Sequence, residues 1–205
     1  MKIGIFGGTF DPIHIGHLII AQHAFEELHL DKLLIIPASI PPHKLRYKTT
    51  DGRHRLSMTK LAVKNNSKFV VSDIELKNKG ISYSIDTLDI IKQKMGTSAS
   101  YYLIIGSDMV PDLHTWKEIG RLTEMCTFVV AIRPGLDKNQ LKKMRLQLPA
   151  PVRKRALSNI MLNPLVDISS TEIRKRASIG KSIRYLVPEK VEKYIIKHKL
   201  YKKQK

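Results

Sequence analysis

Short runs rich in Ile, Val, Leu and Phe alternate along this chain with longer stretches of helical period, and that alternation narrows the choice of fold. Ile3–Phe6, Leu33–Ala38, Phe69–Ser72, Tyr101–Ile105 and Thr127–Ile132 are almost continuously apolar, the pattern of strands buried on both faces. Between them, Leu18, Ala21, Phe25 and Leu28 recur at helical spacing, Asp51 can cap a helix through LSMTKLAV, and Ser82–Met95 reads as helical. Strands that alternate with helices form a parallel sheet through right-handed crossovers. The expectation is therefore an α/β fold, a Rossmann-like doubly wound parallel sheet whose ligands sit beyond the carboxyl ends of its strands. From about Pro149 the chain turns more helical, and this part (from about residue 165 fully so) is read into a single domain spanning 1–205. Residues 39–50, SIPPHKLRYKTT, read as a basic loop, because Pro41 and Pro42 exclude regular structure.

Composition removes several classes. A single cysteine, Cys126, excludes a disulfide framework and a cysteine-rich zinc site, and reads as a small buried hydrophobe. No apolar run approaches the roughly 20 residues of a spanning helix, and the N-terminus lacks a secretory signal's pattern. A cytoplasmic protein without a membrane partner is expected. Lys and Arg number 36 against 18 Asp and Glu, leaving a net charge of +18 that favours anionic partners. Charge alone does not name the anion. No recognised nucleic-acid motif accompanies it, so a small-anion enzyme is preferred over a nucleic-acid binder. The Lys-rich end, Lys199–Lys205, reads as free to fray, and homo-oligomerisation is left open.

The first strand runs into GGTFDPIHIGH, residues 7–17. Gly7 and Gly8 let backbone approach a ligand closely. His14 and His17, three apart at a helix start, share one face beside the positive end of the helix dipole. Two imidazoles there can donate to phosphate oxygens. As residues alone they are equally cap-region histidines, or half of a metal site that lacks nearby further ligands. Downstream, Ser169, Ser170 and Thr171 can cap a helix with Arg174 one turn in, a second anion clamp.

Together these segments resemble the HxGH and ISSTxIR signatures of the nucleotidyltransferase superfamily related to class I aminoacyl-tRNA synthetases, here about 150 residues apart. Further segments narrow the likeness: PPHK (41–44), SYSIDTL (82–88), IIGSDMVPDLHTW (104–116), AIRPG (131–135), and SIRYLVP followed by VEKYIIKHKLY (182–201). Over nearly its whole length the chain resembles the bacterial nicotinate-nucleotide adenylyltransferases. The resemblance implies a nucleotidyltransferase fold and transfer of AMP from ATP to nicotinate mononucleotide, with Mg²⁺ carried in on ATP and no metal site of the protein's own.

It also implies roles residue by residue. Gly7, Gly8, Thr9 and Phe10 would border ATP, and His14 and His17 would contact its phosphates and stabilise the pentacoordinate phosphorus. Lys44 would neutralise phosphate charge in catalysis and beside nicotinate mononucleotide, with Arg46 a weaker candidate. Ile168, Ser169, Ser170, Thr171 and Arg174 would clamp the β- and γ-phosphates, and Arg133 would lie near the base or phosphates. Gly106 and Asp108 would approach the sugars. Tyr83, Ser84 (where the family more often has Thr), Thr87 and Trp116 would line the nicotinate mononucleotide pocket, Trp116 stacking on the pyridine. From the residues alone, Trp116 is as well read as core, Asp108 as a helix cap, Tyr83 as cover for a helix start and Arg133 as a turn residue. An acceptor such as nicotinamide mononucleotide or phosphopantetheine is the nearest rival, though the phosphopantetheine branch usually has Thr at position 14.

Overall fold

The computed structural model describes residues 1–39, 49–78 and 80–202. Its elements run β1 (Lys2–Gly8), α1 (Ile15–Glu27), β2 (Lys32–Pro37), α2 (Gly52–Val63), β3 (Phe69–Val71), α3 (Ile74–Lys77), α4 (Ser84–Met95), β4 (Ser100–Gly106), a 3-10 segment (Ser107–Thr115), α5 (Ile119–Met125), β5 (Thr127–Ala131), α6 (Lys138–Lys143), α7 (Ala150–Ala156), β6 (Ile160–Met161), α8 (Ser170–Ser178) and α9 (Glu189–Lys197). All strands pair in parallel, in the order β3-β2-β1-β4-β5-β6. This is the doubly wound sheet expected from the alternation. The order reverses between β1 and β4, which opens a crevice at their carboxyl ends.

Strand side chains divide with period two between two cores. Ile3, Ile5, Leu34, Ile36, Leu103, Ile105, Phe128 and Val130 face one side, where α4, the 3-10 segment and α5 contribute Leu88, Leu113 and Leu122. Phe6, Leu33, Ile35, Ile104 and Val129 face the other, against Ala21 and Ala24 of α1, Met58 of α2, Ile173 of α8 and Val191 of α9. Gly4 lies on this second side, where an added Cβ would meet Leu30 and Leu33 side chains at 2.5 and 2.6 Å. Gly4 thus leaves room for Leu30 and Leu33, while Ala21 and Ala24 are the small residues by which α1 packs on this core.

Five strands were expected and the described residues form six. Ile160 and Met161 extend β5 by pairing with Val130 and Ala131, a strand too short to leave a periodic signal. The helix expected over Ser82–Met95 begins at Ser84, and Asp51 caps α2 by accepting from the Arg53 amide at 2.8 Å. Among the described residues, no helix is long and apolar enough to cross a membrane.

Candidate active site

The crevice at the strand switch is a cavity of about 810 Å³. Three helices of at least nine residues, α1, α4 and α8, start at its walls, so the positive ends of three dipoles converge on one space.

His14 caps α1, and the two imidazoles are locked by reciprocal bonds. The His17 amide donates to His14 Nδ1 at 3.3 Å, and the His14 amide donates to His17 Nδ1 at 3.2 Å. A backbone N–H can only donate, so both Nδ1 atoms accept and, in the neutral rings, both Nε2 atoms carry the proton. The rings stack with centroids 3.6 Å apart and an interplanar angle of 25°. Phe10 meets His17 edge-on at 5.0 Å, and Phe6 lies behind it. Burial, and then the charge of Arg133, lower the pKa of His14 to about 4, so its ring is neutral at pH 7. The pair therefore offers two oriented Nε2–H donors without an imidazolium on His14.

Glycines shape both strand ends. An added Cβ at Gly8 would meet the Phe10 ring at 2.8 Å. At Gly106 it would collide with Asp108 and with Arg133 Nε, which form an ion pair at 3.1 Å across the mouth of β4. Arg133 is thus more than a turn residue. Asp108 lies in the first turn of the 3-10 segment without capping it, and the Ser107 hydroxyl accepts from the Arg133 amide.

The ISST segment closes onto the loop before HxGH. Ser169 caps α8 through the Glu172 amide, and Ser170 Oγ donates to the Pro12 carbonyl at 2.9 Å. Arg174 donates from Nη1 to the Asp11 carbonyl at 2.8 Å and from Nη2 to Thr171 Oγ1 at 3.2 Å. Part of its planar fork therefore ties α8 to the β1 loop.

Of the residues singled out in sequence, Gly7, Gly8, Thr9, Phe10, His14, His17, Tyr83, Ser84, Gly106, Asp108, Trp116, Arg133, Ser169, Ser170, Thr171 and Arg174 all border this one cavity. Three do not. Lys44, like Arg46 and the PPHK loop, lies outside the described residues. Ile168 packs partly buried against the second core. Thr87 is buried behind the wall and donates its hydroxyl to Glu75 Oε1 at 2.9 Å, so it reaches the cavity only through that carboxyl. Trp116 is both core and cavity wall. It packs on the first core, 6.3 Å from the Phe128 ring, while bordering the cavity, and its buried Nε1 has no partner among the described residues. Tyr83 begins α4 without a side-chain cap bond and lies under Lys117 Nζ, 5.1 Å from the ring centroid. Cys126 is buried, and burial raises its thiol pKa to about 12.

Sequence reading passed over four residues. Asp11 and Glu75 border the cavity, and burial raises the Glu75 pKa. Arg55 on α2 is buried and donates to the carbonyls of Thr9 (2.8 Å), Ala38 (2.6 Å), Ser39 (3.3 Å) and Thr50 (2.9 Å), pinning the loops after β1 and β2. Tyr201, placed in sequence within a fraying tail, is instead half-buried and donates to Asp11 Oδ1 at 2.7 Å. The periodicity of α2 was the available signal for Arg55, which shares a face with Met58 and Thr59.

A family model described as cytidylyltransferase-like matches residues 5–176, the stretch that holds every residue bordering the cavity. That places the chain in the nucleotidyltransferase class. The "Probable nicotinate-nucleotide adenylyltransferase" of Thermoanaerobacter sp. (strain X514) is 43% identical over 206 residues, covering 99% of this chain and 95% of that protein. The protein of the same name from Moorella thermoacetica is 42% identical, covering 98% and 92%. A solved structure of Plasmodium falciparum nicotinic acid mononucleotide adenylyltransferase complexed with NaAD superposes with a TM-score of 0.74 at 21% identity, covering 98% of this chain and 97% of that one; at this identity it speaks to the fold. The chain belongs to the nicotinate-nucleotide adenylyltransferase family.

Proposed function

We propose that this protein transfers AMP from ATP to nicotinate mononucleotide, giving deamido-NAD and pyrophosphate, as a step of NAD synthesis in the cytoplasm. One observation carries the reading. The two Nε2–H donors of His14 and His17 and the start of α8 border the same cavity as Trp116 and the start of α4. The first set suits a polyphosphate, the second a flat ring bearing a carboxylate.

In the proposed reaction a phosphate oxygen of nicotinate mononucleotide attacks the α-phosphorus of ATP in line. A new P–O bond forms, the bond to the β-phosphate's bridging oxygen breaks, and its electron pair leaves with pyrophosphate. The phosphate is already anionic, so no general base is needed. Alignment of two anions is the main demand, and positioning can contribute on the order of 7–11 kcal/mol. His14 and His17 donate to the α-phosphate as charge gathers on its oxygens, and Lys44 screens the phosphates. Ser169, Ser170, Thr171 and Arg174 hold the β- and γ-phosphates at the N-terminus of α8, while Gly7, Gly8, Thr9 and Phe10 border the nucleotide. Asp108 and Gly106 meet the ribose hydroxyls, and Arg133, already paired with Asp108, stays beside the phosphates. Mg²⁺ arrives bound to ATP as part of that substrate.

The nicotinate ring stacks on Trp116, and its carboxylate faces the α4 amides after Tyr83, beside Ser84. Thr87 acts at one remove by holding Glu75. A helix start favours an acid over a neutral amide, which is the physical basis proposed for preferring the nicotinate compound.

Pyrophosphate release from MgATP is to be measured with nicotinate mononucleotide, nicotinamide mononucleotide and phosphopantetheine in parallel. Strong preference for the first is expected. Preference for either of the others, or release with none, overturns the proposal.

A further inference from the structure

The loop that carries the two histidines is held from the far end of the described chain. Tyr201 lies 190 residues from Asp11, yet its hydroxyl donates to Asp11 Oδ1 at 2.7 Å. The second carboxylate oxygen of Asp11 accepts from the Thr50 amide at 3.0 Å, and the Asp11 carbonyl accepts from Arg174. Asp11 therefore joins the approach to α2, the second turn of α8 and the chain four residues past α9 to one turn of backbone, three residues before His14. Asp11 is 4% exposed, so a carboxylate there needs these donors to offset its desolvation.

The route of the chain into this contact is also unusual. The amides of Lys199 and Leu200 bond back to Ile196 and Ile195, and Lys199 takes φ 51°, an ordinary end for α9. Tyr201 then takes φ 65°, a left-handed conformation that a bulky side chain rarely adopts. Such a backbone persists where surrounding contacts over-determine it. Here the ring packs on the second core and the hydroxyl meets Asp11. Burial, first of all, and the Asp11 charge push the phenol's pKa upward, so it remains a donor.

We propose that Tyr201 is a positioning residue for the active site, a strap that sets the register of the Phe10–His14 backbone and so the placement of the two Nε2–H donors. The contact is independent of the reaction assigned above; the step it serves rests on that assignment.

Y201F deletes the hydroxyl and keeps the ring. In the full chain it is expected to lower kcat for pyrophosphate release about tenfold while leaving KM for MgATP and nicotinate mononucleotide within about twofold, because misplaced donors act on the transition state more than on the bound ground state. D11N should lower kcat as well, and D11N/Y201F should lose little more than the worse single variant, the sign of one shared interaction. K202A, an exposed neighbour, should leave kcat unchanged, which separates the strap from the charge of the tail. Hydrogen exchange of residues 9–14 should accelerate in Y201F. If Y201F keeps its kcat, even with a lowered melting temperature, Tyr201 is merely structural and the proposal fails; additive losses in the double variant overturn it as well. Unchanged exchange over 9–14 overturns the strap itself. Faster exchange in a protein that never uses nicotinate mononucleotide upholds the strap and overturns the assigned reaction instead.

Discussion

At 3.6 Å between centroids, the two imidazoliums of His14 and His17 would repel strongly, so the stacked arrangement disfavours charge on both rings at once. The lowered pKa of His14 has a consequence for stability. Its folded value is about 4 against the ordinary imidazole value of 6.5, so between those pH values the unfolded chain binds the more protons. Stability then rises with pH across that window: the contribution is complete above pH 6.5 and is lost as pH falls through 4. The full shift corresponds to about 3 kcal/mol, of which about 2 kcal/mol is gone by pH 5. Urea unfolding at pH 7 and pH 5 should therefore show wild type losing about 2 kcal/mol more than H14N, since Asn caps a helix well and does not titrate. Equal losses would mean that His14 is not buried neutral. His17 has the complementary test. H17A should lower kcat about a hundredfold with KM changed by less than about threefold, as for the loss of one oriented donor. Steady-state kinetics with both substrates decide it, and a pure KM effect would remove His17 from the transition state. Both histidines were legible in sequence because a helix-start spacing of three announces itself. Their Nε2–H tautomers were not, since these depend on which backbone amide faces which ring nitrogen.

Helix α2 shows why an element can be legible while its purpose is not. Asp51 and the run LSMTKLAV announced the helix, but Arg55 in a basic chain reads as one more solvated cation. The structure buries it to 2% exposure, and its cost is offset by four carbonyl oxygens from three loop segments. Burial is also the main cause lowering its pKa. R55M, which keeps most of the volume and removes every donor, should destabilise the fold by about 3 kcal/mol or more, because each bond from a charged donor contributes roughly 1.5–3 kcal/mol. R55K should recover only part of that, its compact ammonium being unable to reach the spread of acceptors that a planar fork serves. Thermal unfolding of both variants checks the order, and a fully stable R55M would show the carbonyls finding other donors. The same limit explains β6 and Thr87. Two residues leave no period to read, and a hydroxyl at the end of the first turn of α4 gives no sign in sequence that it faces a carboxyl behind the wall.

At the scale of the whole molecule, the alternating pattern carried the parallel sheet and hence the location of the cleft, because a doubly wound order leaves its crevice at the strand switch. What alternation could not carry was the joining of segments distant in sequence, such as Tyr201 to Asp11 or Arg174 to the same loop, since each is a tertiary contact with no local signature. The charge of +18 acts at this scale too. Among the described residues the cleft holds Asp11, Glu75, Asp108 and Asp112 beside Arg133, Arg174 and Lys117, so acids and bases are mixed along these walls. A field spread over the surface accelerates encounter with anions without stabilising their transition state. Raising ionic strength from about 0.05 to about 0.3 M should therefore lower kcat/KM for MgATP and nicotinate mononucleotide about threefold to tenfold while kcat at saturation holds. A kcat that falls in step would place the salt-sensitive charges at the reacting phosphates instead. A nucleic-acid binder would show a steep salt dependence of its own, with slope set by the phosphates it neutralises, but H17A would leave that binding untouched. In the enzyme proposed here, H17A should keep the wild-type salt dependence of kcat/KM on a rate about a hundredfold lower, because encounter and chemistry draw on different charges.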